Sequence, residues 1–243
     1  MKKHKTKGEC KTLEKDEIKV IAKVSSPFSE KFGIPRQSGL AENVESKIVF
    51  EKEFSNPDAF RGIEGFSHLW IIWKFSEVKN HSFSPTVRPP KLGGNKRMGV
   101  FATRSPFRPN NLALSSVKFL RLEKEKDGRI AIVVSGADLM NNTPVYDVKP
   151  YLPYADSHPD ALGGFSDEVS KEKLRVVFET EFPPSFPQRL KEGLVQSLSF
   201  DPRPGYQNES ERIYYMMFSD YEIAFTVNEK TLTVKNVTEK TGE

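Results

Sequence analysis

The stretch Leu112-Ala-Leu-Ser-Ser-Val-Lys-Phe-Leu-Arg-Leu122, followed by the polar turn Glu123-Lys-Glu-Lys-Asp-Gly-Arg129 and then Ile130-Ala-Ile-Val-Val134, decides the fold. Both apolar runs are short, strand-like and bounded by turn residues. Their connection is too short for the crossover helix that parallel neighbours require, so the pair is expected to be antiparallel. Runs of the same kind recur at 18–24, 47–54, 68–75, 98–103 and 145–148. Most gaps between them are equally short, and the long ones are rich in Pro and Gly. The pattern predicts a mainly β front two-thirds, a closed or nearly closed barrel rather than a parallel α/β sheet. Only short helical pieces fit between the strands, notably after Asn56-Pro57, an Asn cap followed by a proline suited to the first turn.

Beyond about residue 166 the pattern changes. A strand at 174–178 precedes a segment, 186–200, in which Leu190, Leu194, Val195 and Leu198 recur at helical spacing. Three more strand candidates follow at 213–218, 221–227 and 232–237. Three regions are therefore expected: a Lys-rich disordered leader over 1–17, a β-barrel domain over 18–166, and a small α+β domain over 167–243.

Residues 1–19 carry seven lysines against four acids, so most of the net charge of +4 belongs to the leader. Between residues 78 and 122, by contrast, nine Lys or Arg stand without a single Asp or Glu. A single cysteine, Cys10, and four scattered histidines argue against a disulfide or a structural metal site. Apolar runs are too short to cross a bilayer and none follows the N-terminal lysines, so no membrane association and a cytoplasmic location are expected.

The densest functional signal is residues 88–110, where rigid prolines, permissive glycines and basic side chains suggest a preorganised anion-binding surface. A second lies at 32–40, where Pro35 fixes the backbone beside Arg36 and Gln37, and a third at 135–144, where Asp138 could accept hydrogen bonds from ribose hydroxyls. Dinucleotide-binding, phosphate-loop, zincin and serine-hydrolase fingerprints are absent.

Taken together, PRQSGL at 35–40, RGIEGFSHLW at 61–70, TVRPPKLGGNKRMGVFATRSPFRPN at 86–110 and DVKPYLPYAD at 147–156 resemble the TsaA-like (TrmO) family of tRNA methyltransferases. DPRPGY at 201–206 is similar to that family's bacterial C-terminal domain. The resemblance implies a β-barrel that uses S-adenosylmethionine to methylate the exocyclic amine of threonylcarbamoyl-adenosine beside the tRNA anticodon, and it implies homodimers.

Carried over residue by residue, it implies a cofactor site of Pro35, Arg36, Gln37, His68, Leu69, Arg104, Leu114, Asp138, Leu139, Met140 and Asn141. In that set Leu69, Leu114 and Met140 would flank adenine, Asp138 would hold ribose, and Arg36 or Arg104 would meet the methionine carboxylate. One departure is Asn141-Asn142 where relatives carry Asp-Gly; Asn tolerates the same left-handed backbone. RNA contacts are expected from Arg88, Lys91, Arg97, Arg108, Arg203 and Tyr206, although the turn holding the last two would serve equally as a structural connector. A non-catalytic RNA-binding barrel and a small-molecule methyltransferase are the competing functions.

Overall fold

The computed structural model describes residues 14–78, 83–89, 96–167, 172–203 and 209–240. Lys91, Tyr206 and nearly all of the Lys-rich leader lie outside them.

Six strands build the front of the molecule: β1 (Ala22–Ser25), β2 (Glu45–Phe50), β3 (His68–Lys74), β6 (Leu112–Lys124), β7 (Ile130–Ser135) and β8 (Pro144–Pro150). They pair in the order β1-β2-β7-β6-β3-β8, and the ring closes because β8 also pairs with β1. Every pairing is antiparallel. The inward face follows from period-two alternation: Leu69, Ile71 and Trp73 of β3 are buried while His68 and Lys74 point out. With Ile48, Val117, Ile132 and Val134 they form one continuous apolar core. Outside, Lys47 of β2 meets Glu123 at 2.7 Å and Glu125 at 3.0 Å, and Arg121 meets Glu45 and Glu123. Such surface pairs contribute at most about 1 kcal/mol each.

Antiparallel order has a consequence for function. The connections 26–44, 75–111 and 136–143 all leave the barrel at one end, because β1, β3 and β7 finish there and β2, β6 and β8 begin there. The other end carries the connections 51–67 and 125–129.

Three expected strands are shorter than the sequence pattern suggests, the run at 18–24 entering the sheet only at Ala22. The run at 47–54 leaves the sheet after Phe50 and becomes a 3-10 turn, Lys52–Phe54, where the Ser55 hydroxyl donates to the Phe50 and Glu51 carbonyls. The run at 98–103 contributes only β5 (Met98–Gly99), paired with β4 (Thr86–Val87), before the 3-10 turn Val100–Ala102. There the Val100 N–H turns to the Pro85 carbonyl at 3.0 Å and the Thr103 hydroxyl to the Val100 carbonyl at 2.9 Å. Local hydrogen bonds outcompete the ladder in both places. The Asn56 cap is present: its side chain accepts the Asp58 N–H at 3.0 Å above the 3-10 turn Pro57–Phe60. A short helix, α1 (Pro153–Asp156), follows β8 and fills a place where no element was expected.

The C-terminal sheet runs β10 (Tyr214–Phe218), β11 (Tyr221–Asn228), β12 (Thr231–Glu239) and β9 (Arg175–Phe178), with β12–β9 parallel and the rest antiparallel. Helix α2 (Gln188–Ser199) lies between β9 and β10 in the chain and buries Leu194 and Leu198. This second core also takes in residues from the connection between β1 and β2. Phe28 meets Phe218 edge-on at 5.5 Å, Phe32 stacks on Phe225 at 6.3 Å, and Ala41 and Val44 join the same cluster. The connection 26–44 is therefore held from below by the barrel and from the side by the C-terminal sheet.

Candidate functional site

The three connections that share one barrel end bring Gln37, Arg104 and Asp138 together. Connection 136–143 is shaped by backbone first: Gly136 takes φ 72°, and a Cβ there would come within 3.2 Å of the Gly39 Cα. Only glycine allows that approach, and it permits the Gly39 N–H to bond the Gly136 carbonyl at 2.8 Å. Asn142, at φ 62°, takes the left-handed backbone expected of it and donates its N–H to the Val24 carbonyl at 2.8 Å.

Asp138 is then held over the barrel wall. Its carboxylate accepts the Ser115 hydroxyl at 2.7 Å, and Ser115 in turn accepts the Trp73 indole N–H at 3.0 Å. Burial pushes the Asp138 carboxyl above the ordinary carboxylate range, while Ser115, the Ser38 N–H and the Arg104 charge pull it back down. Arg104, exposed, donates to the Gln37 carboxamide oxygen. A half-buried carboxylate, a guanidinium and a carboxamide thus stand together, a set suited to hydroxyl or ammonium groups on one side and a carboxylate on the other.

The raised Asp138 carboxyl has a sign. A folded-state value above the unfolded one means that ionisation opposes folding, so the burden is absent at low pH and grows as pH rises from the ordinary carboxylate value through the raised one. Asp138→Asn keeps an acceptor for Ser115 and carries no charge. Its melting temperature is expected to exceed that of the parent at neutral pH, with the gap closing on acidification; a gap that widens toward low pH contradicts the assignment.

Several expected site residues are placed otherwise. Leu69 is fully buried inside the barrel, whereas Leu114, 51% exposed, is on the outer face of the same β3–β6 ladder, so the two cannot flank one adenine. Period two explains it: Leu69 is paired with inward Val117, and Leu114 with outward Ile72. His68 begins β3 at the opposite barrel end, its Nδ1 2.9 Å from the Ser67 hydroxyl and its ring against Tyr151. The end of β3 that meets the site carries Lys74, Phe75 and Ser76 instead. Leu139 is buried in the barrel core. The Asn141 side-chain oxygen already accepts the Ser26 N–H at 3.3 Å, and its own N–H reaches the Phe28 carbonyl at 2.7 Å. Pro35 is buried, and Arg36 donates to the Arg203 carbonyl at 2.6 Å rather than facing Asp138. Met140 is half-buried. Ser115 and Trp73 were missed by residue-type reasoning; the signal was parity, since a serine two positions before inward Val117 must itself point inward and find a partner.

Of the expected RNA contacts, Arg88 and Arg97 are exposed, Arg97 donating to the Thr86 hydroxyl at 2.8 Å. Arg108 is half-buried and bonds the carbonyls of Thr103 and Ser105. Arg203 differs: its side chain is only 8% exposed and clamps Asp201 through Nε at 2.9 Å and Nη2 at 3.0 Å. This geometry is that of a connector, with no guanidinium face turned to a phosphate. Arg203→Ala is expected to lower stability by about 1–3 kcal/mol in urea denaturation, and to leave the salt dependence of tRNA affinity unchanged.

Among the described residues no three or more of His, Cys, Asp and Glu are grouped to hold a metal, and no helix is long and apolar enough to cross a membrane.

Residues 23–157 match the tRNA-methyltransferase O N-terminal domain, and residues 171–240 match the TrmO C-terminal domain. The chain belongs to the tRNA-methyltransferase O family. It is 38% identical to the tRNA (adenine(37)-N6)-methyltransferase of Escherichia coli (strain K12) over 86% of this chain and 92% of that one. Similarity is equally extensive to a putative S-adenosylmethionine-dependent methyltransferase of Pseudomonas aeruginosa, 38% identical over 85% and 90%. A crystal structure of TrmO from the same genus and species superposes with TM-score 0.75 at 30% identity, covering 94% of this chain and 99% of that one. Both matched domains of the TrmO family are thus present in order, and the cluster of Gln37, Arg104 and Asp138 falls within the first.

Proposed function

We propose that this chain transfers the methyl group of S-adenosylmethionine to the exocyclic N6 amine of the adenosine at position 37 of tRNA, the nucleotide beside the anticodon, in its threonylcarbamoyl form. Similarity to relatives named tRNA (adenine(37)-N6)-methyltransferase supports the reaction. The observation within the molecule that carries it is the convergence of Gln37, Arg104 and Asp138 at one barrel end.

The donor set fits the cofactor. Asp138 would accept from ribose hydroxyls, Arg104 would meet the methionine carboxylate with Gln37 beside it, and exposed Leu114 and half-buried Met140 would each offer apolar surface. When bound, S-adenosylmethionine supplies a methyl group on a sulfonium, open to in-line displacement. The chain's task is positional: the splayed acceptor base would bring its amine nitrogen onto that line, the methyl's bond to sulfur would break as its bond to nitrogen forms, and the nitrogen's proton would pass to solvent. Arg88, Arg97 and Arg108, on the connection 75–111, supply positive charge for the phosphates around that base.

In this scheme residues 18–166 form the methyl-transfer domain and 167–243 a C-terminal domain that helps seat tRNA. The protein acts in the cytoplasm as a homodimer. The test is nucleoside mass spectrometry of tRNA carrying threonylcarbamoyl-adenosine after incubation with protein and S-adenosylmethionine. A gain of one methyl on that nucleoside alone is expected. Cofactor binding without any gain would redirect the search to another acceptor, and no cofactor binding would overturn the reaction.

A further inference from the structure

Beside the site, on the same basic connection, two phenylalanine rings stand in the open. Phe83 and Phe101 are 50% and 72% exposed, with ring centroids 6.4 Å apart and planes inclined by 29°. Phenylalanine is ordinarily a core residue, so a stacked exposed pair calls for an occupant. The pair is held rigidly from beneath: the Val100 N–H bonds the Pro85 carbonyl at 3.0 Å and the Ser84 N–H bonds the Phe107 carbonyl at 3.3 Å. The Arg108 guanidinium is 5.9 Å from the Phe101 centroid and is fixed there by the Thr103 carbonyl at 2.8 Å. Phe101 precedes Arg104, which bonds Gln37, by three residues, so its Cα is within roughly 11 Å of the Arg104 Cα.

Charge selects the occupant. The pair is set in the window 78–122, which holds nine Lys or Arg and no acid, so a second copy docking here through the same face would oppose like charge to like. A polyanion with flat apolar faces satisfies both features. We propose that Phe83 and Phe101 form a stacking platform for an unpaired base of the substrate RNA, next to the base that receives the methyl group, with Arg97 and Arg108 meeting the adjoining phosphates. The platform rests on the methyl-transfer function proposed above and adds to it how the flanking nucleotide is gripped.

The experiment measures binding of a fluorescently labelled anticodon stem-loop RNA to the full chain and to Phe83→Ala, Phe101→Ala and Phe101→Trp. The same RNA is also prepared with each loop nucleotide made abasic in turn. Phe101→Ala is expected to weaken binding roughly tenfold, Phe101→Trp to preserve it, and S-adenosylmethionine affinity to stay unchanged. At one abasic position the Phe101→Ala loss should vanish, which a merely structural role would not produce. In Phe101→Trp the added indole should be quenched by intact RNA and not by that one abasic RNA, so the result does not depend on the alanine variant folding. Equal losses at every abasic position, with the added indole quenched by none of the RNAs, would overturn the platform. So would unchanged RNA affinity accompanied by a change of oligomeric state on sedimentation, which would assign the rings to a second copy. Methyl transfer by the parent protein, followed on the same RNA, separates the two levels: transfer with phenylalanine-independent binding removes the platform alone, whereas base-dependent binding without transfer removes the proposed reaction.

Discussion

Asp138→Ala is expected to weaken S-adenosylmethionine binding by about 10- to 100-fold in calorimetric titration, the range for removing a charge-assisted hydrogen-bond acceptor. The carboxylate is pinned by the Ser115 hydroxyl at 2.7 Å and stands in the field of Arg104, so no neighbouring group takes over its position. Arg104→Ala is expected to act on the same step through the methionine carboxylate, and the double variant to lose less than the two single losses combined, because the residues share one ligand and one another's charge. Losses that combine in full, or unchanged cofactor affinity in Asp138→Ala, would place the cofactor elsewhere. Because burial raises the Asp138 carboxyl, affinity should also fall on acidification at a higher pH than an ordinary aspartate would give.

Phe225→Ala is expected to lower stability by about 3–5 kcal/mol, as truncation of a fully buried aromatic does. Phe225 is fully buried, stacks on Phe32 at 6.3 Å and faces Tyr214 at 5.6 Å. Phe32 belongs to the connection that carries Gln37, so the change should loosen the site as well as the C-terminal sheet. Urea denaturation reads the first effect. The second should appear as weaker cofactor binding under conditions where the variant remains folded; intact cofactor affinity there would show that the connection is held by the barrel alone.

Strand positions were legible because short apolar runs bounded by polar turns, such as those at 112–122 and 130–134, suit strands and leave no room for a crossover helix between them. The C-terminal helix was legible from spacing, its Leu190, Leu194 and Leu198 falling at period 3.6. Strand ends were not: the turns at Lys52–Phe54 and Val100–Ala102 use apolar residues whose backbone groups find local partners, and no periodicity records that choice. Of the residues expected around a cofactor, Gln37, Arg104 and Asp138 come together at one barrel end, while Leu69 is buried inside the barrel and His68 begins β3 at the other end, placements that residue type alone does not reveal.

The sequence by itself determined an antiparallel β front, an acid-free basic window over 78–122 and the left-handed turn at Asn142, because each depends on neighbours along the chain. Only the tertiary structure decided that the pairing of β8 with β1 closes the ring, that connections 26–44, 75–111 and 136–143 meet at one end, and that Arg203 is spent on Asp201. Those facts depend on residues more than a hundred positions apart, or on the burial of a side chain whose type is equally at home in water, and neither leaves a period in the chain.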